Sequence, residues 1–226
     1  MSATPTPHVV EAIQQQAATL NVQSRYLHEG GIDYAERLLD KHHPSLDRVV
    51  FTCTGTEANE VAITMARFAT RGRGIICTDS AYHGNSELVG KLTWAGGRSD
   101  PEIRSVRFPQ TYRPIEEGLS EAELCDRYLA DVADAIESFA AAGVPLAGML
   151  VCSLFANEGL PNIPSGYMAR AADMVRAAGG LFVADEVQAG FCRGGRWWGY
   201  EVNEFVPDIA TMGKPMGSGV PLAGVV

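Results

Sequence analysis

Gly179-Gly180-Leu181-Phe182-Val183-Ala184-Asp185-Glu186-Val187-Gln188 holds two events: paired glycines stop a helix, and an apolar run then ends on two adjacent carboxylates. The run from Leu181 to Asp185 is short, unbroken and bounded by turn residues, the pattern of a strand buried on both faces. Upstream, Ser165 to about Ala178 places apolar residues at helical spacing, with Ser165 as the expected cap. Working outward, the alternation repeats. Leu146 to Ser153 is an apolar strand, and the capping-box pattern Ser120-Glu121-Ala122-Glu123 opens a helix reaching about Ala142, which Gly143 stops. Ile103 to Phe108 and Gly74 to Thr78 read as strands, and residues 79–101 as a long functional loop with one helical turn. Glu57 to Thr70 reads as a helix after a Thr54-Gly55-Thr56 turn, and Arg48 to Cys53 as a short buried strand. Two helices, from His8 to about Leu20 and from Ile32 to Lys41, open the chain; Asp208 to Met212 and Leu222 to Val226 supply apolar strands near its end.

Strands alternating with amphipathic helices predict an α/β fold: a three-layer αβα arrangement with a mostly parallel central sheet. The expected division is a helical segment over 1–45 leading into one large domain over 46–226. In such sheets ligands lie outside the carboxyl ends of the strands, so chemistry is sought immediately after each one.

Composition narrows the classes. With 226 residues and a net charge of −9, its basic residues scattered rather than gathered in a stripe, the chain points to small-molecule chemistry, with no nucleic-acid partner. The five cysteines (Cys53, Cys77, Cys125, Cys152, Cys192) are odd in number and widely spaced, which fits reduced buried thiols and a cytoplasmic location. His42 and His43 lack partners at metal-ligand spacing, so no metal is expected, and the pair reads as a polar helix end. No run reaches transmembrane length, and the first residues lack the basic and apolar regions of an export signal, so no membrane partner is expected.

Four post-strand positions carry candidate chemistry. In Thr54-Gly55-Thr56-Glu57-Ala58-Asn59, Gly55 lets a ligand approach the backbone and the helix start offers N–H groups to a phosphate; alternatively Thr56 simply caps its helix. In Ala81-Tyr82-His83-Gly84, the Tyr82 ring either stacks on a flat ligand or pins its loop. Strand periodicity sets Asp185 and Val187 on one side and Glu186 on the other. Asp185 then needs a cation, either a nearby Arg193 or a protonated pyridine nitrogen whose ring Val187 would press. The last is Lys214, one of three lysines, in the turn Gly213-Lys214-Pro215-Met216-Gly217: a solvated loop residue, or an amine able to form a Schiff base. A phosphate nest, a stacking ring, an acid for a pyridine nitrogen and an amine for an aldehyde match the features of pyridoxal 5′-phosphate.

These residues, with Pro7-His8-Val9-Val10-Glu11-Ala12-Ile13 and Asp185-Glu186-Val187-Gln188, resemble the class III aminotransferases, pyridoxal-phosphate enzymes of fold type I. Within that family the chain is most similar to the branch of alanine–glyoxylate aminotransferase-like enzymes and phospholyases of ethanolamine phosphate or phosphohydroxylysine. The resemblance implies an amino-group transfer from an amino acid or amine to a 2-oxo acid by a homodimer, or phosphate elimination from a phosphoamine. It implies that Lys214 holds the cofactor as a Schiff base and moves the substrate Cα proton, and that Asp185 holds the pyridinium proton. It further implies that Gly55 and Thr56 bind the phosphate, Tyr82 and Val187 cover the two ring faces, Gln188 reaches the phenolic oxygen, and His83 belongs to the cofactor site. Two departures stand out. Val151-Cys152-Ser153 occupies the place of a family glutamate, with Glu158 as a misaligned substitute. The family's segment before Pro7 and its C-terminal small domain after Val226 are expected to be missing, making the chain a fragment in which turnover of its own is not expected.

Overall fold

The computed structural model describes residues 6–22, 25–93 and 100–226. Its elements, in chain order, are α1 (Pro7–Thr19), α2 (Glu29–Leu39), β1 (Val50–Thr52), α3 (Gly55–Thr70), β2 (Gly74–Thr78), α4 (Glu87–Gly90), β3 (Ile103–Val106), α5 (Glu121–Ala141), β4 (Leu146–Cys152), α6 (Tyr167–Ala177), β5 (Leu181–Asp185), α7 (Gly199–Val202), β6 (Ile209–Met212), a 3-10 turn (Lys214–Gly217) and β7 (Ala223–Val225). The strands form one sheet in the order β1-β7-β6-β5-β4-β2-β3, in which β7 pairs antiparallel with both β1 and β6 and the remaining pairs are parallel.

Two apolar clusters cover the two faces. One combines Tyr128, Val132 and Phe139 of α5 and Tyr167, Met168 and Val175 of α6 with Phe182 and Ala184 of β5 and Ala210 and Met212 of β6. The other combines Ala58, Ala62, Ile63 and Ala66 of α3 with Ile75 and Cys77 of β2, Val183 of β5 and Ile209 of β6. The three-layer αβα reading therefore holds. Because successive strand residues alternate between faces, Asp185 follows Val183 onto the α3 side, and Thr211 follows Ile209 there.

Several local expectations are corrected. The Val50-Phe51 run is not buried: β1 is the edge strand, where Val50 and Phe51 stay exposed and Phe51 stacks on Tyr34. Helix α3 starts at Gly55 rather than Glu57, capped by Thr54 instead of Thr56: the Thr54 hydroxyl takes Glu57 N–H while the Glu57 carboxylate takes the Cys53 and Thr54 N–H groups. Ser165 does not cap α6. Gly166, in the left-handed region at φ 77°, precedes the helix, and Ser165 N–H goes to Glu121 of α5 instead. The loop after β2 contains the expected helical turn as α4; its residues 94–99 lie outside the described residues. Cys77, Cys125 and Cys152 are buried, but Cys53 and Cys192 are exposed. His42 is no polar helix end: it is 8% exposed and stacks on Trp198 with ring centroids 3.9 Å apart.

Candidate active site

The carboxyl ends of β4, β5 and β6 are abreast, with Cys152 level with Asp185 and Asp185 level with Thr211. Above them lies a cavity of about 190 Å³ lined by Gly55, Thr56, Asn59, Tyr82, His83, Gly84, Cys152, Asn157, Asp185, Val187, Gln188 and Lys214. Every predicted site residue lines it: Gly55, Thr56, Tyr82, His83, Asp185, Val187, Gln188 and Lys214. They come from the start of α3, the loop after β2, the end of β5 and the turn after β6.

Asp185 is 4% exposed, and donors converge on its carboxylate. Oδ2 accepts from Asn59 Nδ2 at 2.9 Å and from His83 Nδ1 at 2.7 Å, and Oδ1 accepts from Val187 N–H at 3.0 Å. The Arg193 alternative fails, since that residue is exposed and these other donors hold the carboxylate. An ionised carboxylate only accepts, so in this pairing the His83 ring carries its proton on Nδ1. Its Nε2 is then left buried without a hydrogen-bond partner. Sequence reasoning named His83 and Asp185 separately; their pairing was not in the spacing.

At the other end of the cavity, Gly55 is required by a close approach: a Cβ there would stand 2.7 Å from Val187 Cγ1. Val187 can therefore lie against the first turn of α3 only if that residue is glycine. Gly84 makes the same concession, at φ 137°, to the Thr56 side chain. The capping box engages Glu57 N–H, so the Gly55 and Thr56 end of the turn is the part presented to the cavity, where a helix start favours an anion. Lys214 is exposed at the rim and holds a positive φ of 45°, a conformation that lysine adopts only at a cost.

Cys152 lines the cavity where an acid was expected, and burial together with the Asp185 charge pushes its thiol up to about 12, so it presents a neutral wall. Glu158 does not take over that position: its Oε1 accepts from the Thr78 hydroxyl at 2.6 Å. Sequence reasoning assigned no role to Asn59, Asn157 or Thr211. The one available signal for Asn59 was its place a helical turn beyond Gly55 on the same face.

Glu186 faces the opposite side, as the alternation predicted. Fully buried, its carboxylate accepts from the N–H groups of Gly199 (2.7 Å) and Tyr200 (2.9 Å), and so clamps the segment carrying Trp198. Burial raises its pKa to about 7, against the lowering effect of Ser153 and the two amides. A folded-state pKa above the unfolded value of 4.5 means that stability is full below pH 4.5 and is lost as pH rises toward 7. His42, lowered to about 3 by burial, acts in the opposite direction, losing stability as pH falls below 6.5. The Glu186 contribution is therefore isolated by difference: between pH 4.5 and 7, wild-type stability should fall relative to Glu186→Gln by on the order of 3 kcal/mol, read from paired denaturant melts. A difference curve flat across that window would remove Glu186 from the account.

A larger open hollow of about 630 Å³ around His42, Asp173 and Arg176 lacks such convergence, since Arg176 is already paired with Asp208 at 3.1 Å.

Comparison with known proteins finds relatives along nearly the whole chain. The chain is 36% identical over 225 residues to alanine–glyoxylate aminotransferase 2 homolog 2, mitochondrial, of Arabidopsis thaliana, covering 97% of this chain and 46% of that protein. The fold superposes with a TM-score of 0.90 and 41% identity on a phospholyase from Arthrobacter solved with phosphoethanolamine, covering 98% of this chain and 53% of that one. A taurine:2-oxoglutarate aminotransferase from Bifidobacterium kashiwanohense, solved with PLP and glutamate, gives a TM-score of 0.87 at 29% identity, over 97% of this chain and 51% of that one. The chain thus spans about half the length of the curated relatives it matches. Since the family model described as aminotransferase class-III matches residues 4–226, nearly the whole sequence, the chain belongs to the class III aminotransferase family.

Proposed function

We propose that this cavity holds pyridoxal 5′-phosphate and that the chain is the cofactor-binding large domain of an enzyme moving an amino group from an amino acid or amine to a 2-oxo acid. One observation carries the reading: a buried carboxylate, Asp185, and an exposed amine, Lys214, face a single cavity walled by Tyr82, Val187 and the start of α3. The residues fit the cofactor. Gly55 leaves room where a Cβ would collide with Val187, and the donors around Asp185 hold its carboxylate at the cavity floor.

When bound, the cofactor supplies an electron sink for the charge left as a substrate Cα proton departs. Asp185 would hold the proton of the ring nitrogen, and His83 and Asn59 would hold Asp185. Gly55 and Thr56 would take the phosphate at the helix start, Val187 and Tyr82 would cover the two ring faces, and Gln188 would reach the phenolic oxygen. Lys214 Nζ would anchor the cofactor and move the Cα proton. Cys152, a neutral thiol, leaves the β4 side of the cavity without the charge a glutamate would bring. The expected setting is a homodimer in the cytoplasm acting on small molecules; among the described residues no helix is long and apolar enough to cross a membrane.

A second reading, a phospholyase releasing phosphate from a phosphoamine, is favoured by the likeness to the phosphoethanolamine-bound Arthrobacter structure, the higher of the two structural identities. One experiment separates them. The full-length protein, supplied with pyridoxal phosphate, is given either an amine donor with a 2-oxo acid or phosphoethanolamine alone, and new amino acid and inorganic phosphate are measured. Amino acid formation without phosphate release supports transfer; phosphate release that needs no 2-oxo acid overturns it in favour of elimination.

A further inference from the structure

Asn59 is 1% exposed, and its carboxamide is fully engaged. Nδ2 donates to the His83 carbonyl at 2.7 Å and to Asp185 Oδ2 at 2.9 Å, while Oδ1 accepts from the Thr211 hydroxyl at 2.6 Å. A carboxamide offers two N–H donors and one carbonyl, and here each goes to a different element: the loop after β2, the end of β5 and the end of β6. The orientation is unambiguous, because the flipped amide would set its oxygen against two acceptors.

Those elements are the ones that deliver the site. β5 ends on Asp185; β6 runs through Thr211 to Lys214 three residues later; α3 carries Gly55 and Thr56 one turn before Asn59. Sheet hydrogen bonds set the Asp185 backbone level with Thr211 but leave the direction of the carboxylate to its side-chain partners. Oδ1 is held locally by Val187 N–H, so the aim of Oδ2 rests on Asn59 and His83, and Asn59 also supports His83 through its carbonyl.

We infer that Asn59, backed by the Thr211 hydroxyl, is a positioning residue that aims the Asp185 carboxylate at the ring nitrogen and keeps it in step with Lys214; this rests on the reading of the cavity as a pyridoxal phosphate site. Its polar atoms are all taken by protein partners. Its effect is exerted through Asp185, which makes it measurable in the cofactor's own proton equilibria. With the cofactor bound, a ring nitrogen held protonated by Asp185 would lower the proton affinity of the cofactor's other titrating groups, and loosening Asp185 would raise it.

The test uses purified protein, wild type against Asn59→Ala, Thr211→Val and Thr211→Ser, with two readouts below the melting range: the Kd for pyridoxal phosphate by equilibrium dialysis, and the pH midpoint of the bound cofactor's visible absorbance. Asn59→Ala is expected to weaken binding by about tenfold to a hundredfold and to raise the midpoint by about one pH unit. Thr211→Val should move both the same way by less, and Thr211→Ser, which keeps the hydroxyl, should restore wild-type values. If Asn59→Ala lowers only the melting temperature, leaving Kd and midpoint unchanged, Asn59 is merely structural and the inference is overturned. Should Asn59→Ala fail to fold, the Thr211→Val against Thr211→Ser comparison decides on the same readouts, and two indistinguishable variants overturn it. A wild-type protein that takes up no pyridoxal phosphate sinks the cofactor reading itself, a failure visible before any variant is made.

Discussion

In the full-length protein, Lys214→Ala should leave the fold intact, abolish covalent retention of pyridoxal phosphate and lower turnover by about 10⁴-fold or more, since on the proposed reading an anchoring amine and a proton carrier are lost together. The fold should survive for a local reason. Lys214 is exposed and its φ of 45° is unfavourable for a side chain, so removing its side chain deletes no packed core. Lys214→Gly makes the separation sharper: glycine accepts that φ freely and should stabilise the protein by roughly 1 kcal/mol while remaining inactive. The check combines borohydride fixation with peptide mass mapping, thermal melts of both variants, and turnover. Cofactor mass fixed on Lys41 or Lys91 in the wild type, or activity surviving in Lys214→Ala, would remove Lys214 from the mechanism.

Lys214 is legible in the sequence because of where the information lies. A lone lysine in a glycine-rich turn after an apolar strand is a local pattern, and so is the split of Asp185 and Glu186 onto opposite faces by strand alternation. Helices and strands of the sheet's interior were legible for the same reason: Leu146 to Cys152 and Leu181 to Asp185 are buried along nearly their whole length and read as unbroken apolar runs. What was not legible depends on sheet order. Val50-Phe51 has the composition of an interior strand, yet β1 is the edge, a fact set by its pairing with the antiparallel β7 and not by its own residues. The choice between Thr54 and Thr56 as cap turns on the Glu57 carboxylate reaching back to the Cys53 and Thr54 N–H groups, a contact that the Thr56 alternative does not include. His42 looked polar in sequence and is sealed by Trp198, a residue more than 150 positions away. Separations of 126 and 152 positions likewise hid the contacts of Asn59 with Asp185 and Thr211. Residue identity thus named the groups that line the cavity; the tertiary contacts that orient them emerged only with the packing.

On the proposed reading, orientation and chemistry meet at Asp185, and the consequences of changing it differ by substituent. In Asp185→Asn the side chain keeps its size but trades one acceptor oxygen for a donor. If its carbonyl takes the Oδ2 position, it can still accept from Asn59 and His83, but its NH₂ then opposes Val187 N–H across what was a 3.0 Å bond. The reverse orientation opposes two donors. Either way a buried donor loses its partner, at about 1–3 kcal/mol. The larger effect is chemical: a neutral amide does not hold the ring nitrogen's proton, so the electron sink weakens and turnover should fall by about 10³-fold, with lysine anchoring retained. Asp185→Ala should lose as much activity while opening space at the cavity floor. That space provides the decisive control. A cofactor methylated on its ring nitrogen carries a permanent positive charge and needs no carboxylate to keep a proton there. Loaded into Asp185→Ala it should recover a measurable part of the lost rate; loaded into the wild type, its methyl group would press against the Asp185 carboxylate and should bind poorly. Turnover and Kd measured for the two proteins with the two cofactors give four combinations. Recovery confined to the alanine variant with the methylated cofactor identifies the ring nitrogen as the partner of Asp185. If unmodified cofactor supports equal rates in Asp185→Ala and wild type, the carboxylate held by Asn59, His83 and Val187 serves the fold alone.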